Sequence, residues 1–474
     1  MSRRGRVAAI VSVGVFVASL DLFIVNIAFP DLQRDFAGTS LASLSWVLNA
    51  YAIVFAALLV PAGRWADRVG RKRAFLGGLA LFTVASAACA AAPSVGVLVG
   101  ARVVQAAGAA LLMPASLGLL LPEFPAEKRG LALGLWAAVG GTAAAAGPVI
   151  GGLLVELSWR WVFLVNLPVG VIAIVAGARV LGEIRETDAP RPDALGSVVL
   201  TGAVGTLIGA IVQGPDWGWT SGRVLGLLLV ALVLSVVFAV RSGRVEVPVV
   251  EPELLRVRAF AAANVAGLLF FVGFAAMLLG SVLFLTEVWG ESALTAGLMI
   301  SPGPATAAIF AVGGGILSGR IGPRAVGAMG TTLFAIGGVL FATRLGADQN
   351  FAGDYLPGMI IGGAGVGFVN PALAGAATAQ LPPTRLATGS AVLTMSRQLG
   401  SALGIAILVA VVGTPSPADA VDAFRDAWWL MVAAAVGATI AFIAVGPLAR
   451  PGVEPPLEQE IEAGVVSMAP EVAA

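Results

Sequence analysis

The chain has 474 residues, of which 58% are hydrophobic and only 12% are charged, whereas soluble proteins carry about 25% charged residues. Its net charge of +1 gives no reason to expect nucleic-acid binding. A single cysteine and no histidine argue against a disulfide framework and against the common metal sites. The composition therefore predicts a polytopic membrane protein without a cofactor.

Apolar runs of spanning length predict fourteen helices, because backbone polar groups in lipid must be paired within the segment. The runs fall at 8–29, 44–62, 74–92, 95–120, 130–155, 160–181, 194–213, 222–240, 261–285, 296–318, 324–344, 355–378, 388–413 and 427–448. The first run follows a basic N-terminus and lacks a cleavage-like end. We expect it to be a retained helix rather than a signal peptide.

The basic residues predict the orientation of these helices. If the N-terminus is cytoplasmic, the inner segments hold 21 of the 28 Lys and Arg residues and the outer loops hold five. Short loops rich in Lys and Arg stay in the cytoplasm. We expect both termini to be cytoplasmic and the lipid bilayer to be a bacterial plasma membrane, as the Arg- and Ala-rich composition suggests.

The polar segment Gly63–Arg73 separates helices 2 and 3 and is predicted to be a cytoplasmic loop. Five of its eleven residues are basic, and Asp67 is its one acid. The glycines at 63 and 70 allow the backbone to turn and pack closely. An acid within a basic loop indicates a specific partner for Asp67.

This segment recurs later in the chain, at a shift of 252 residues. The repeat Gly315–Arg324 matches it at Gly63/Gly315, Arg68/Arg320 and Gly70/Gly322, but Asp67 is matched by Gly319. A second echo pairs Met113-Pro114-Ala115 with Asn370-Pro371-Ala372. The repeat predicts six-helix bundles over 1–192 and 259–449, separated by two inserted helices and a linker over 193–258. The acidic, proline-containing segment 450–474 is predicted to be a disordered cytoplasmic tail.

Asp21 is the outstanding residue, since it lies inside helix 1, where a charge costs at least about 2.5–3.5 kcal/mol. A carboxyl group that titrates while its exposure alternates between two sides is what proton coupling needs. The alternative is a protonated Asp21 that only donates a hydrogen bond to a neighbouring helix. Arg102 in helix 4 is the natural counter-charge, because an arginine keeps its proton.

Two further features lie in the predicted helices. Gly147-Pro148 and Gly151-Gly152 in helix 5 predict a bend or a sliding seam, because proline removes a helix hydrogen bond and glycines allow close helix contact. Arg397 in helix 13 is a second buried cation. It either has a function or extends its side chain to the cytoplasmic interface.

Several of these segments resemble a known family. Gly63–Phe75, with the sequence GRWADRVGRKRAF, resembles the signature loop of the major facilitator superfamily. Leu20-Asp21 through Pro30 resembles the helix 1 signature of its drug:proton antiporters. The likeness covers 8–448 and is specific to the fourteen-helix branch of multidrug and antibiotic exporters.

Three other segments support the same resemblance. Arg102, Gln105 and Gly108 resemble the helix 4 signature, with Ala106 in place of the usual glycine. Gly147-Pro148 with Gly151-Gly152 resembles the antiporter motif of helix 5, and Trp159–Gly170 is similar to a segment typical of the fourteen-helix branch.

The resemblance implies roles for the matching residues. Asp21 would bind the proton and Arg102 would modulate it. Gly63, Asp67, Arg68, Gly70 and Arg71 would form a cytoplasmic latch, in which Asp67 caps the amino end of helix 13 near Thr388 and Gly389. Glu287 and Glu291 lie only at the outer end of helix 9, which weakens the case for a strongly cation-selective pocket.

The sequence thus predicts an all-α major facilitator fold and a monomeric, proton-driven exporter of small amphipathic molecules, working by alternating access. Predicted cavity-lining residues are Asn26, Asn49, Gln105, Met113, Phe270, Phe274, Asn370, Met395 and Gln398. The alternative within transporters is an importer or facilitator of a small metabolite, against which the helix 5 motif argues. A membrane enzyme or receptor is disfavoured, because no loop exceeds about 20 residues and no metal cluster is evident.

Overall fold

The computed structural model describes residues 2–125, 129–186, 192–382, 385–416 and 418–446. In these ranges there are no strands and fourteen helices long and apolar enough to cross a membrane. They are α1 (Arg3–Ile27), α2 (Leu41–Val69), α3 (Arg71–Ala90), α4 (Val95–Glu123), α5 (Arg129–Val155), α6 (Trp161–Val180), α7 (Ala194–Trp217), α8 (Gly222–Ser242), α9 (Arg258–Val288), α10 (Ala293–Ile321), α11 (Pro323–Arg344), α12 (Phe351–Thr378), α13 (Leu386–Val412) and α14 (Ala420–Ala444). The predicted all-α fold with fourteen helices is confirmed.

Several helices contain local breaks, and short helices connect others. A short helix, Phe29–Asp35, lies between α1 and α2, and another, Pro252–Arg256, lies between α8 and α9. The last turn of α9, Phe284–Val288, and the first turn of α12, Phe351–Tyr355, are π-helical. In α10 the hydrogen-bond pattern is interrupted at Ser301, before Pro302.

The two bundles repeat the same packing. In the first, α1 packs against α5, and α4 packs against α2 and α3; in the second, α9 packs against α13, and α12 packs against α10 and α11. The tight turns after α2 and α10 fall on Gly70 and Gly322, with φ of 119° and 87°. Residues other than glycine rarely adopt these angles. The internal repeat found in the sequence is therefore a structural repeat.

The segment Gly63–Arg73 is helical rather than a loop, so this prediction was wrong. α2 continues to Val69, Gly70 alone breaks the helix, and α3 begins at Arg71. An apolar run measures only the part of a helix that lies in hydrocarbon, whereas the polar end of a helix can project into water.

Hydrogen bonds between segments distant in sequence lie at two opposite faces of the molecule. On the face that carries both ends of the described chain, the terminal face, Arg4 donates to the Glu123 carbonyl and Arg258 donates to the Ala444 carbonyl. On the other face, the opposite face, Trp159 donates to Asp35, and Trp289 donates to the Gly346 carbonyl. The hydrogen bond from Trp159 and, next, the bond from Arg160 hold the pKa of Asp35 below its ordinary value of 3.8, against the raising effect of burial.

The two bundles meet along two seams. One is formed by α5 and α10, and the other by α2 and α13. The inserted hairpin of α7 and α8 covers the second seam, because α7 packs against both α2 and α13 while α8 packs mainly against α7. The inserted helices therefore shield the α2–α13 seam from lipid.

An ion pair joins the two inserted helices at the terminal face. Asp193 accepts from the backbone N–H of Gly196 at 2.8 Å, which caps α7, and from Arg241 of α8 at 2.7 Å. Burial acts to raise the pKa of this carboxyl, but the hydrogen bonds from Arg241 and Gly196 outweigh it and hold the pKa below its ordinary value. The tail predicted at 450–474 lies outside the described residues.

Candidate functional site

Asp21 lies in a fully buried polar cluster inside the first bundle. Its side chain is 0% exposed, and each carboxylate oxygen has a partner. Arg102 Nη1 lies 2.5 Å from Oδ2, and Gln105 Nε2 donates to Oδ1 at 2.9 Å. The structure thus brings together Asp21 and Arg102, which are separated by 81 residues in sequence.

Gln105 connects this ion pair to three other side chains. Its amide oxygen accepts from Arg102 at 2.6 Å, and its amide nitrogen also donates to Ser86 Oγ at 2.8 Å. Ser86 in turn accepts from Asn166 Nδ2 at 3.2 Å, and the Cys89 thiol lies 3.7 Å from the Gln105 oxygen. One glutamine therefore links α1, α3 and α4, and through Ser86 it reaches α6.

Arg102 also contacts α2. Its Nε donates to the Val47 carbonyl at 3.1 Å, and its guanidinium lies 4.1 Å from the centre of the Tyr51 ring. Removing one member of a buried ion pair costs about 3–5 kcal/mol, because the other charge is left uncompensated. Any change in the charge of Asp21 therefore changes the energy of the buried Arg102 charge and the contacts of the helices that hold it.

The cluster lies closer to the opposite face than to the terminal face. Asp21 is eighteen residues from the start of α1 and six from its end, which at 1.5 Å per residue is about 27 Å from one and about 9 Å from the other. Arg102 lies seven residues from the start of α4, which is also at the opposite face. The two charges are thus at the same depth.

A groove of about 480 Å³ lies beside the cluster, between α1, α5 and α6. Its walls are mostly apolar, and include Leu20, which precedes Asp21. Asn166 lines the groove and also donates to Ser86 of the cluster. Hydrogen bonds through Asn166, Ser86 and Gln105 therefore connect the groove to the Asp21 carboxylate.

The Gly-Pro segment of α5 forms part of the seam with α10. A side chain at Gly152 would collide with the backbone of Leu294, and one at Gly297 would collide with the Pro148 carbonyl. Gly147 and Gly151 instead face α1, where added side chains would meet Phe23 and Ile27. The small residues thus let α5 approach helices of both bundles near the opposite face.

The predicted latch between Asp67 and helix 13 is not present in the described residues. Asp67 accepts from Arg71 at 2.7 Å, and its backbone carbonyl accepts from the Glu186 N–H at 2.9 Å. Arg71 also donates to the Gly118 carbonyl. The segment after α6 contacts the end of α2 and the start of α3. Asp67 therefore has its partners within the first bundle.

Two of the other latch residues, Arg68 and Gly70, contact the same segment. A side chain at Gly70 would collide with the Glu183 carboxylate, and the Arg68 carbonyl accepts from Arg185 Nε at 2.7 Å. Gly63 lies against Pro114 of α4, where an added Cβ would be 3.3 Å from the proline ring. All five latch residues therefore stabilise the terminal face of the first bundle.

A different acid, Glu251, joins the two bundles at the terminal face. Its carboxylate lies 3.4 Å from Arg64 of α2 and 3.6 Å from Arg385, which precedes α13. Arg64 also donates to the Val247 and Pro248 carbonyls at 3.1 and 2.7 Å. We call Arg64, Glu251 and Arg385 the terminal clasp. Sequence reasoning missed it, and the only signal was an acid between two prolines before helix 9.

The predicted cavity residues divide by exposure. Asn49, Gln105 and Phe270 are 0% exposed, and so do not line a cavity in this conformation. Phe270 packs on Phe334 at 4.9 Å, and Gln105 belongs to the Asp21 cluster. Asn26 and Met395 are buried, whereas Met113, Phe274, Asn370 and Gln398 are partly exposed. For the four partly exposed residues, a place in the cavity wall stays a prediction.

Comparison with known proteins identifies the family. The Major Facilitator Superfamily profile matches residues 11–405 and, again, 265–466. The chain is 34% identical to the methylenomycin A resistance protein of Streptomyces coelicolor, over 91% of this chain and 87% of that protein. It is also 34% identical to the tetracenomycin C resistance and export protein of Streptomyces glaucescens, over 88% and 77% of the two chains.

A further relative supports the family, and two solved structures share the fold. The multidrug resistance protein Stp of Mycobacterium tuberculosis is 34% identical over 84% of this chain and 74% of its own. A transporter of the POT family superposes with a TM-score of 0.67 at 16% identity, covering 91% of this chain and 94% of the other. An inward-facing bacterial homologue of the lysosomal transporter Spinster gives 0.62 at 18% identity, over 94% and 97%.

Proposed function

Because the chain belongs to the major facilitator superfamily, we propose that it is a proton-coupled antiporter that exports amphipathic drugs or antibiotics from the cytoplasm by alternating access. The chain is a multi-pass membrane transporter and not an enzyme, as its family and relatives show. The observation that carries the proton coupling is the fully buried Asp21 carboxylate, paired with Arg102 and Gln105. No cofactor enters the proposal, since the proton gradient supplies the energy.

The relatives support the choice of cargo and direction. Two of them carry names of antibiotic resistance proteins, one of which includes export, and a third is named for multidrug resistance. The terminal face is assigned to the cytoplasm, because 21 of the 28 Lys and Arg residues belong to the segments predicted on that side. A drug therefore enters from the terminal face and leaves at the opposite face.

Protonation of Asp21 is the step that couples the two fluxes. When the carboxyl is neutral, Arg102 retains its charge but loses its counter-charge, which is costly in a buried site. Movement of α1 relative to α4 relieves this cost by giving the guanidinium other acceptors or water. The proton enters from the opposite face, to which Asp21 is closer, and leaves to the cytoplasm when the pair re-forms.

The two interfaces between the bundles act as gates in this cycle. Near the opposite face, the contact of Gly152 with Leu294 separates to release the drug and admit the proton. At the terminal face, the terminal clasp opens to admit the drug. Alternation requires that the two do not open together, because a pathway open at both ends would dissipate the proton gradient.

Transport by reconstituted protein tests the proposal. The substrate is the compound against which the chain gives a drug-sensitive bacterial host the strongest resistance. With an imposed pH gradient, the wild-type chain accumulates it in liposomes against its concentration gradient. We expect Asp21→Asn to lose this accumulation.

Asp35→Asn is the matched control, since it removes the same charge at an exposed site on the opposite face. We expect this variant to accumulate the substrate as the wild-type chain does. Accumulation by Asp21→Asn that still responds to the pH gradient would contradict the role of Asp21. If the wild-type chain and Asp35→Asn both fail to accumulate the substrate, the result would contradict antiport.

A further inference from the structure

Arg397 is a cation in the middle of a membrane-spanning helix that the proposed cycle does not use, and its side chain is partly exposed. It is the twelfth residue of α13, and its guanidinium lies 4.4 Å from the centre of the Phe271 ring on α9. Phe271 is thirteen residues from the start of α9, which corresponds to about 20 Å from the terminal face. The side chain therefore stays within the membrane. This contradicts the alternative that Arg397 extends its side chain to the cytoplasmic interface.

The guanidinium has no acceptor among the residues that the structure describes. Neither a carboxylate within salt-bridge distance nor a hydrogen-bonding oxygen is found there for Arg397, whereas Arg102 has three oxygen partners. The ring of Phe271 offsets only about 0.5–2 kcal/mol of the cost. An arginine normally recruits carboxylates, carbonyls or water, because it cannot lose its proton.

The interior of the membrane domain consequently has an excess positive charge. Among the buried or partly exposed side chains of the described helices, the charges more than five residues from both helix ends are Asp21, Arg102 and Arg397, and the first two neutralise each other. A cationic substrate would meet an unfavourable charge in the second bundle. A substrate with one negative charge would neutralise it.

The surroundings of Arg397 fit an amphipathic molecule. Arg397 is partly exposed on the stripe of α13 that faces α9, which also contains Gly400 and Gly404. The exposed side chain therefore lies beside the contact between α9 and α13, next to the Phe271 ring. Phe271 and the partly exposed Phe274, with ring centres 5.5 Å apart, provide an aromatic surface beside the charge.

A neighbouring amide adds a second hydrogen-bond donor. Gln398 is partly exposed, and its Nε2 is buried without a partner in the described part of the chain. A buried donor without a partner costs about 1–3 kcal/mol. Two adjacent residues of α13 therefore carry donors for which the described residues provide no acceptor.

We propose that Arg397 binds the anionic group of an amphipathic substrate, such as a carboxylate or a phenolate, while Phe271 and Phe274 contact its aromatic body. The proposal rests on the proposed export function and specifies its substrate class as organic anions. Charge-assisted hydrogen bonds from arginine to an oxyanion are about twice as strong as neutral ones. The site selects against cations by repulsion as well as for anions by attraction.

Binding of two probes of opposite charge tests this without transport. The probes are 2-naphthoate and 2-naphthylmethylammonium, which share one aromatic body, and the method is isothermal titration calorimetry on the full chain in detergent. The wild-type chain is expected to bind the anion at least tenfold more tightly than the cation. Equal affinities, or no saturable binding of 2-naphthoate, would overturn the proposal, and this comparison needs no variant.

Variants then assign the preference to one residue. Arg397→Gln is expected to weaken 2-naphthoate binding about tenfold, which corresponds to about 1.4 kcal/mol, and to leave the cation unaffected. Arg397→Lys is expected to retain most of the anion binding, and Arg344→Gln, an exposed arginine of α11, to retain all of it. Unchanged anion affinity in a folded Arg397→Gln variant would overturn the assignment.

Asp21→Asn separates this proposal from the transport cycle. That variant is expected to lose pH-driven accumulation but to prefer the anion over the cation as the wild-type chain does. A failure of proton coupling with intact anion preference would contradict the cycle alone. Loss of the anion preference in Asp21→Asn would contradict the independence of the Arg397 site.

Discussion

At the scale of single residues, the Asp21 carboxylate belongs to a buried polar network that joins four helices through Gln105, Ser86 and Asn166. Asp21 and Arg102 were predicted to meet because each charge needs compensation in lipid. Ser86 and Asn166 were missed, because a hydroxyl or an amide in an apolar helix gives no signal that distinguishes a network from a local hydrogen bond. Gln105 was noted but assigned to the cavity, whereas its side chain is fully buried.

The contacts of Gln105 give a prediction for stability. Gln105→Leu removes a donor to Asp21 and Ser86 and an acceptor for Arg102. Each buried polar group left without a partner costs about 1–3 kcal/mol. We therefore expect a clear decrease in the thermal unfolding temperature in detergent.

Gln398→Leu is the control for this prediction, because its amide nitrogen has no partner in the described residues. Its unfolding temperature should not fall and should rise, because the substitution removes a buried donor whose lack of a partner costs about 1–3 kcal/mol. Equal destabilisation by the two substitutions would mean that the Gln105 network adds little.

At the scale of helices, apolar runs predicted their number and order but not their ends. α2 extends seven residues beyond the predicted end at 62 and contains most of the presumed loop. The wrong partner for Asp67 followed from this error, because the carboxylate at the end of α2 pairs with Arg71 at the start of α3 rather than with the other bundle. The sequence also showed that α5 is rich in glycine, but not that Gly147 and Gly151 face α1 while Gly152 faces α10.

Alanine substitution at two glycines of α5 is expected to have different effects, because only one of the two lies in the seam with α10. A Cβ at Gly152 would lie 2.7 Å from the Leu294 Cα, whereas one at Gly141 meets no atom within 4 Å. Overpacking costs about 1–3 kcal/mol. Gly152→Ala should therefore shift the population away from the state in which the opposite face is closed.

Distances between spin labels measure this shift. Labels at Leu157 and Asp348 report on the two bundles at the opposite face, since both positions are exposed there. Gly152→Ala is expected to increase the fraction at long distance several-fold, and Gly141→Ala to match the wild-type distribution. The same distribution for both variants would show that this seam does not control opening.

At the scale of the whole molecule, the repeat found in two short motifs predicted the arrangement of two similar bundles. It could not predict the terminal clasp, because Glu251 belongs to the linker and has no counterpart in the repeat. Its partners Arg64 and Arg385 come from segments 321 residues apart, and only the folded chain brings them together. Hydropathy likewise could not predict that the inserted helices cover the α2–α13 seam.

The terminal clasp predicts that Glu251 biases the conformational equilibrium. Glu251→Gln removes the charge shared by Arg64 and Arg385, and partly exposed ion pairs contribute about 1 kcal/mol at most. An effect of that size changes a two-state population about fivefold. The terminal face should therefore open more often, as reported by spin labels at the exposed positions Arg73 and Arg324.

Glu253→Gln is the matched control, because its carboxylate is exposed and pairs only with Arg385 among the described residues. It should leave the distance distribution unchanged. Identical distributions for the wild-type chain and Glu251→Gln would rule out the terminal clasp as a gate.

The most direct test of the account is whether substrate binding releases a proton from Asp21. Calorimetric titration with the resistance-selected compound, in two buffers of different ionisation enthalpy, measures the protons exchanged on binding. The account predicts a net release of protons by the wild-type chain and by Asp35→Asn, and none by Asp21→Asn. Proton release by Asp21→Asn equal to that of the wild-type chain would contradict it.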